Sequence, residues 1–126
     1  MSLRDIRDEV AGVLQDSLNI PAHGFLPAKR TGPYAIVAPD DPYMEQAGRF
    51  GHHTLHLIVL LVGGKGTNEK VSNDLDSYIE KATVALRDAG YMLTSATRPG
   101  AIEMEDGSTQ YGAALFIDTE IQLEEN

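Results

Sequence analysis

Apolar residues at Leu3, Ile6, Val10, Leu14 and Leu18 recur at steps of three and four, while Arg4, Asp5, Arg7, Asp8, Gln15 and Asp16 fall elsewhere around the wheel. That spacing predicts an amphipathic helix over residues 2–18. Ser2 followed by Asp5 has the form of a capping box, with Asp in place of the usual Glu or Gln, and Pro21 ends the helix. Residues 19–33 carry Pro21, Pro27, Pro33 and the turn signal His23-Gly24, and predict an irregular connector. Residues 34–38 (YAIVA) predict a short buried strand, which Pro39, Asp40, Asp41 and Pro42 stop. Residues 43–51 then form a loop or a strand extension.

The strongest strand signal is 52–62, HHTLHLIVLLV. Its second half is apolar at every position, which suits a strand buried on both faces at the centre of a sheet. Gly63, Gly64 and Gly66 make the turn after it, and Thr67 or Asn68 can cap the helix that follows. Val71, Leu75, Tyr78, Ile79, Ala82, Leu86 and Ala89 form one stripe of that helix, with Asp74, Asp76, Glu80, Lys81, Arg87 and Asp88 toward water. Gly90 stands where a helix takes a left-handed terminator. Strands follow at 91–97, 101–105 and 110–123, with Asp106-Gly107 as a hairpin turn. In the last strand Ala113, Leu115, Ile117, Thr119, Ile121 and Leu123 alternate against Ala114, Phe116, Asp118, Glu120 and Gln122, so one face is apolar throughout and the other turns polar toward the end. The order implies an α+β domain. It has a single mixed or antiparallel sheet of four to five strands, two helices packed on one face and a C-terminal β-hairpin.

The length of 126 residues suits one domain, with a core large enough to hold the fold on its own. The absence of cysteine excludes disulfides and thiolate metal sites. The longest apolar run, 57–62, is far short of the roughly 18 residues a membrane span needs. No secretory signal is visible in MSLRDIRDEVAGVL, and a soluble protein made in the cytoplasm is the expectation. Ten basic residues are scattered among nineteen acidic ones for a net charge of −9, which argues against gripping DNA by its phosphates. Near DNA such a charge acts instead as a repelling wall.

Candidate chemistry is sparse. His52 and His56 share a strand face but lie about 13 Å apart at 3.3 Å per residue, so a metal would need a ligand from a neighbouring strand or subunit. GGKGTN between a strand and a helix lacks the order of a phosphate loop, and no dinucleotide pattern replaces it. The carboxylates at Asp40-Asp41 and at Glu103, Glu105 and Asp106 lack the spacing of an EF-hand loop. No nucleophile elbow is present and no acid–base pair is brought together by spacing, so neither catalytic residues nor a cofactor or metal is expected. What remains is surface. Asp40, Asp41, Tyr43, Met44, Phe50 and His52 mix aromatic, thioether and polar groups as interfaces do, and Met104 sits in the other hairpin tip, 103–109.

The run YAIVAPDDPYMEQAGRFGHHTLHLIVLLVGGKGTNEKVSNDLDSYIEKATVAL, followed by YGAALFIDTEIQL, resembles the tail terminator proteins of long-tailed bacteriophages, most closely those of phages infecting actinobacteria. The resemblance covers residues 3–123. It includes the leading helix, the A-I-V-x-P-x-D-P-Y strand exit at 35–43 and the G-x-G-x-N helix entry at 64–68. It implies a structural virion protein at the head–tail junction, a homo-oligomer closed as a hexameric ring. Such a ring caps the tail tube, ends polymerisation of the tube protein and offers a joining surface to head-side connector proteins. Double-stranded DNA passes through its lumen without specific binding, and the family carries no catalytic residues. Under that reading the acidic Glu103, Glu105, Asp106, Asp118, Glu120, Glu124 and Glu125 are candidates for the lumen wall. The alternatives are a head-closure or head–tail connector protein and, in a different class, a small-molecule-binding regulatory α+β domain seated at Thr67 and Asn68. An enzyme is a third class, without a supporting constellation.

Overall fold

The first helix, α1 (Leu3–Leu18), starts on the capping box: the Asp5 amide donates to Ser2 Oγ at 3.1 Å and the Ser2 amide donates back to Asp5 Oδ2 at 3.0 Å. It ends at Asn19 in the left-handed region, whose N–H returns to the Gln15 carbonyl, so the stop precedes Pro21 by two residues. A computed structural model describes residues 2–24, 32–48, 50–104, 107 and 109–122. Along them follow β1 (Ala22–His23), β2 (Tyr34–Gln46), β3 (His52–Val62), α2 (Asn68–Asp88), β4 (Met92–Ala96), β5 (Gly100–Glu103) and β6 (Thr109–Gln122). The Leu123 end of the last predicted strand and Asp106 of the predicted hairpin turn lie outside the described residues.

The strands form one mixed sheet in the order β1-β2-β3-β6-β4. β1 runs parallel to β2, and every other pairing is antiparallel. β4 and β5 share the edge of β6 that faces away from β3, β5 pairing with its first residues and β4 with its second half. β3 is central, as its doubly apolar second half requires. The fold is the expected α+β arrangement with a C-terminal hairpin of β5 and β6, but with six strands rather than four to five. The addition is β1, in the segment predicted to be irregular. Two residues are too few to carry a period, and they pair only because Ala35 and Ile36 offer an edge.

Both helices lie on one face. Ile6, Val10, Leu14 and Leu18 of α1 and Val71, Leu75, Ala82 and Leu86 of α2 bury against Ala35, Val37, Leu55, Leu57, Val59, Leu61, Leu115 and Ile117. Ala89, placed on the α2 stripe by spacing, is instead the exposed cap residue, and Gly90 follows at φ 92°. The opposite face carries a smaller cluster of Tyr34, Ile36, Val62 and Met104, with Leu60 against it. Gly112 sits where β6 threads between β3 and β5; a Cβ there would strike the Leu61 carbonyl oxygen and the Ile102 side chain.

The second departure concerns Pro39 to Pro42, expected to stop the strand. β2 instead continues beyond a wide bulge. Pro39 lies opposite Leu57 and Met44 opposite Leu55, so residues 40–43 face His56 alone. Proline is tolerated at a bulge because no ladder hydrogen bond is asked of it. Beyond the bulge Met44, Glu45 and Gln46 pair again with Leu55, Thr54 and His53, and the Ala47 amide donates to the His52 carbonyl at 2.9 Å. The β2–β3 hairpin thus has an inner half and an outer arm; in the arm β3 stays paired with β6 as far as His52, and only the β2 side, residues 44–46, is an edge.

Candidate functional site

The outer arm gathers most of the surface residues singled out from the sequence. Phe50 at its turn is 95% exposed, the most exposed large apolar side chain among the described residues. Met44 is 37% exposed. Asp40 and Asp41 lie in the bulge, where Asp40 Oδ1 accepts from the Asp41 amide at 2.8 Å. Tyr43 is half-buried and packs against the edge of the main core, so only part of it faces outward. Met104 does not join this surface. It is buried with Tyr34, Ile36 and Val62, because its position past β5 turns the thioether onto the second cluster.

Alternation along β3 puts Leu55, Leu57, Val59 and Leu61 toward the helices and His52, Thr54 and His56 on the other face. The register with β6 sets His56 opposite Asp118 and Thr54 opposite Glu120. His56 Nδ1 lies 2.5 Å from Asp118 Oδ1, and its Nε2 lies 2.7 Å from Glu45 Oε1 on the outer arm of β2. An ionised carboxylate only accepts, so a ring bonded at both nitrogens to carboxylates is the doubly protonated imidazolium. The Asp118 hydrogen bond chiefly raises the His56 pKa above its ordinary value; partial burial opposes it and Glu45 adds to it. Four residues back along β3, His52 Nδ1 stands 3.0 Å from Glu120 Oε1. Asp118 and Glu120, candidates for a lumen wall, are therefore each within hydrogen-bond reach of a histidine. Glu103 is exposed at the end of β5, opposite Thr109. Glu105, Asp106, Glu124 and Glu125 lie outside the described residues.

The histidine pairings were only half legible. His52 and His56 were visible as a same-face pair; the carboxylates that take them up come from β2 and β6 through a register no local pattern states. Among the described residues, no group of three or more histidines and carboxylates is arranged to hold a metal ion, and no helix is long and apolar enough to cross a membrane. At the helix entry, Thr67 rather than Asn68 is the cap, its Oγ1 accepting from the Lys70 amide at 3.2 Å, while Lys70 Nζ pairs with Asp74 at 2.8 Å.

A cavity of about 280 Å³ lies between α1, the exit of α2 and the end of β6, bordered by Ile6, Glu9, Gly90, Tyr91 and Ile121. Thr119, Glu120 and Gln122 also line it, and beside them the Tyr91 hydroxyl donates to Glu9 Oε1 at 2.7 Å. Burial first, and Glu9 second, push the Tyr91 phenol well above its usual range. At neutral pH it is a donor and not a base, and the pair does not amount to acid–base machinery.

No protein-family model matches the chain, and no curated protein matches it.

Proposed function

We propose that the protein is a ring-forming tail terminator of a long-tailed bacteriophage, a virion protein that caps the tail tube and presents the head-joining surface. The observation that carries the reading beyond the sequence resemblance is Phe50, 95% exposed at the end of the outer hairpin arm with Met44 behind it. A fully exposed aromatic at a hairpin turn is suited to burial in another chain. An arm of one subunit entering a different surface of the next makes a heterologous contact, the kind that closes rings. The tail tube protein and head-side connector proteins are the further partners, and double-stranded DNA passes through the lumen. Among the described acidic candidates, exposed Glu103 fits a lumen wall better than Asp118, which is partly buried and bonded to His56.

The test is mass by light scattering on the purified chain, alone and with the tail tube protein encoded beside it, for the native sequence and for Phe50→Ser. A ring near six subunits, formed alone or only on tube protein and lost in Phe50→Ser with the melting temperature kept, is the expected result. A monomer or dimer indifferent to tube protein overturns the reading. Binding to a portal-side adaptor in place of the tube moves the protein to the head-closure ring.

A further inference from the structure

His56 occupies a singular place: it is the one β3 residue opposite the residues 40–43 of the bulge, where backbone pairing between β2 and β3 lapses. Its ring spans the gap with side-chain bonds instead, to Asp118 on β6 through Nδ1 and to Glu45 on the outer arm through Nε2. Three strands are joined through one side chain. Its side chain is 19% exposed, against 33% for Asp118 and 58% for Glu45, so the ring is the shielded centre of the group and the Glu45 bond its wet end.

We propose that His56, carrying a proton on each ring nitrogen, is a clasp that holds the β2 side of the outer arm, residues 44–46, against β3 and β6, and that loss of one proton frees that segment and the turn leading to Phe50. A neutral imidazole keeps a single N–H. It can serve Asp118 or Glu45 as donor, but not both; the other nitrogen then presents a lone pair to a carboxylate and repels it. Asp118 forms the shorter bond from the more shielded position, so the proton stays with Asp118 and Glu45 is released.

The charged groups around the ring are few. β6 contributes Asp118 and, one pair further out, Glu120, which His52 of β3 engages. β2 contributes Glu45 beyond the bulge and Asp40 and Asp41 within it. β4 places the uncharged Met92 opposite Asp118. The group holds carboxylates and histidines with no Lys or Arg among these residues, and that setting favours the charged ring. The folded-state pKa is raised, so the clasp is complete below the ordinary value of 6.5 and is lost as pH rises through the higher folded value.

The test is nitrogen-15 NMR of the full chain between mildly acidic and alkaline pH, following the His56 ring nitrogens and the exchange protection of the arm amides Glu45, Ala47 and Thr54, which face across β2 and β3, corrected for intrinsic exchange. The expected result is a His56 midpoint above 6.5, with arm protection falling across that same midpoint. The fall should be about tenfold for each unit by which the midpoint is raised, since both measure one coupling. Glu45→Gln, at an exposed position, lowers both the midpoint and the low-pH protection of the arm while the inner amides Leu57 to Leu61 keep theirs. His56 titrating at or below 6.5, arm protection equal on both sides of its midpoint, or a midpoint unmoved by Glu45→Gln would each overturn the clasp. Because these readouts concern one chain, they stand or fall independently of ring assembly.

Discussion

The Tyr91 hydroxyl donates to Glu9 Oε1 at 2.7 Å, tying the chain just beyond α2 to the second turn of α1. Tyr91 itself is buried, while the Glu9 side chain reaches it from an exposed position. Tyr91→Phe keeps the ring packing and removes the bond. A loss of about 1 kcal/mol in unfolding free energy is expected by urea titration. The phenol's raised pKa gives the same pair an alkaline signature: its stabilisation is intact below the ordinary value of 10.0 and is lost as pH rises above it. Tyr91→Phe should flatten the fall in melting temperature above pH 10; an unchanged profile would mean that other groups drive it.

Leu57 sits at the centre of the central strand, fully buried in the helix-facing core and paired with Ile117. Leu57→Ala removes buried methyl groups and leaves a space the flanking strands cannot close. It should cost about 2–5 kcal/mol, a large share of the roughly 5–15 kcal/mol a domain has. A cost under about 1 kcal/mol in chemical denaturation would show that the core relaxes.

Two glycines should respond in opposite directions. Gly90 ends α2 at φ 92°, and Gly90→Ala should cost about 1–2 kcal/mol even though a Cβ there meets nothing. Gly12 lies exposed inside α1, also with open space at its Cβ; Gly12→Ala should gain about 0.5–1 kcal/mol. Equal responses would place the cost of Gly90→Ala in something other than backbone sign.

Tyr34 is 4% exposed in the second cluster, and its hydroxyl finds no hydrogen-bond partner among the described residues. An unpaired buried hydroxyl costs about 1–3 kcal/mol. Tyr34→Phe should therefore raise the melting temperature, and a fall would reveal a bound water or partner at that oxygen.

Acid should loosen the start of α1. The Ser2 amide, then the Ser2 hydroxyl, hold the Asp5 carboxyl below its ordinary value of 3.8. A depressed folded pKa means that this contribution is present above 3.8 and fades as pH falls through the lower folded value. Amide exchange of the first turn should quicken in that window for the native chain, and Asp5→Asn should remove the pH dependence.

Much of this fold is written locally. The three- and four-residue steps of Leu3 to Leu18 and of Val71 to Leu86, the Ser2–Asp5 box and the alternation along 113–121 each state their element within a few residues, because helix and strand periods repeat inside one element. The doubly apolar second half of β3 even placed it at the sheet centre. The two-residue β1 and the bulge over residues 40–43 were not legible, and the continuation of β2 was legible only as one of two alternatives for 43–51, since each depends on what the neighbouring strand offers.

The candidate site divides along the same line. The sequence alone determined that an acidic, cysteine-free chain would present Tyr43, Met44 and Phe50 close together, and that His52 and His56 would share a face. Only the tertiary structure decided that Met104 is core, that Phe50 stands almost fully exposed at the turn between β2 and β3, and that Asp118 and Glu45 close on His56 from two strands. The reason is physical: periodicity fixes which way a side chain points along its own element, whereas partners across a sheet are set by register, and register is chosen by the packing of the whole core.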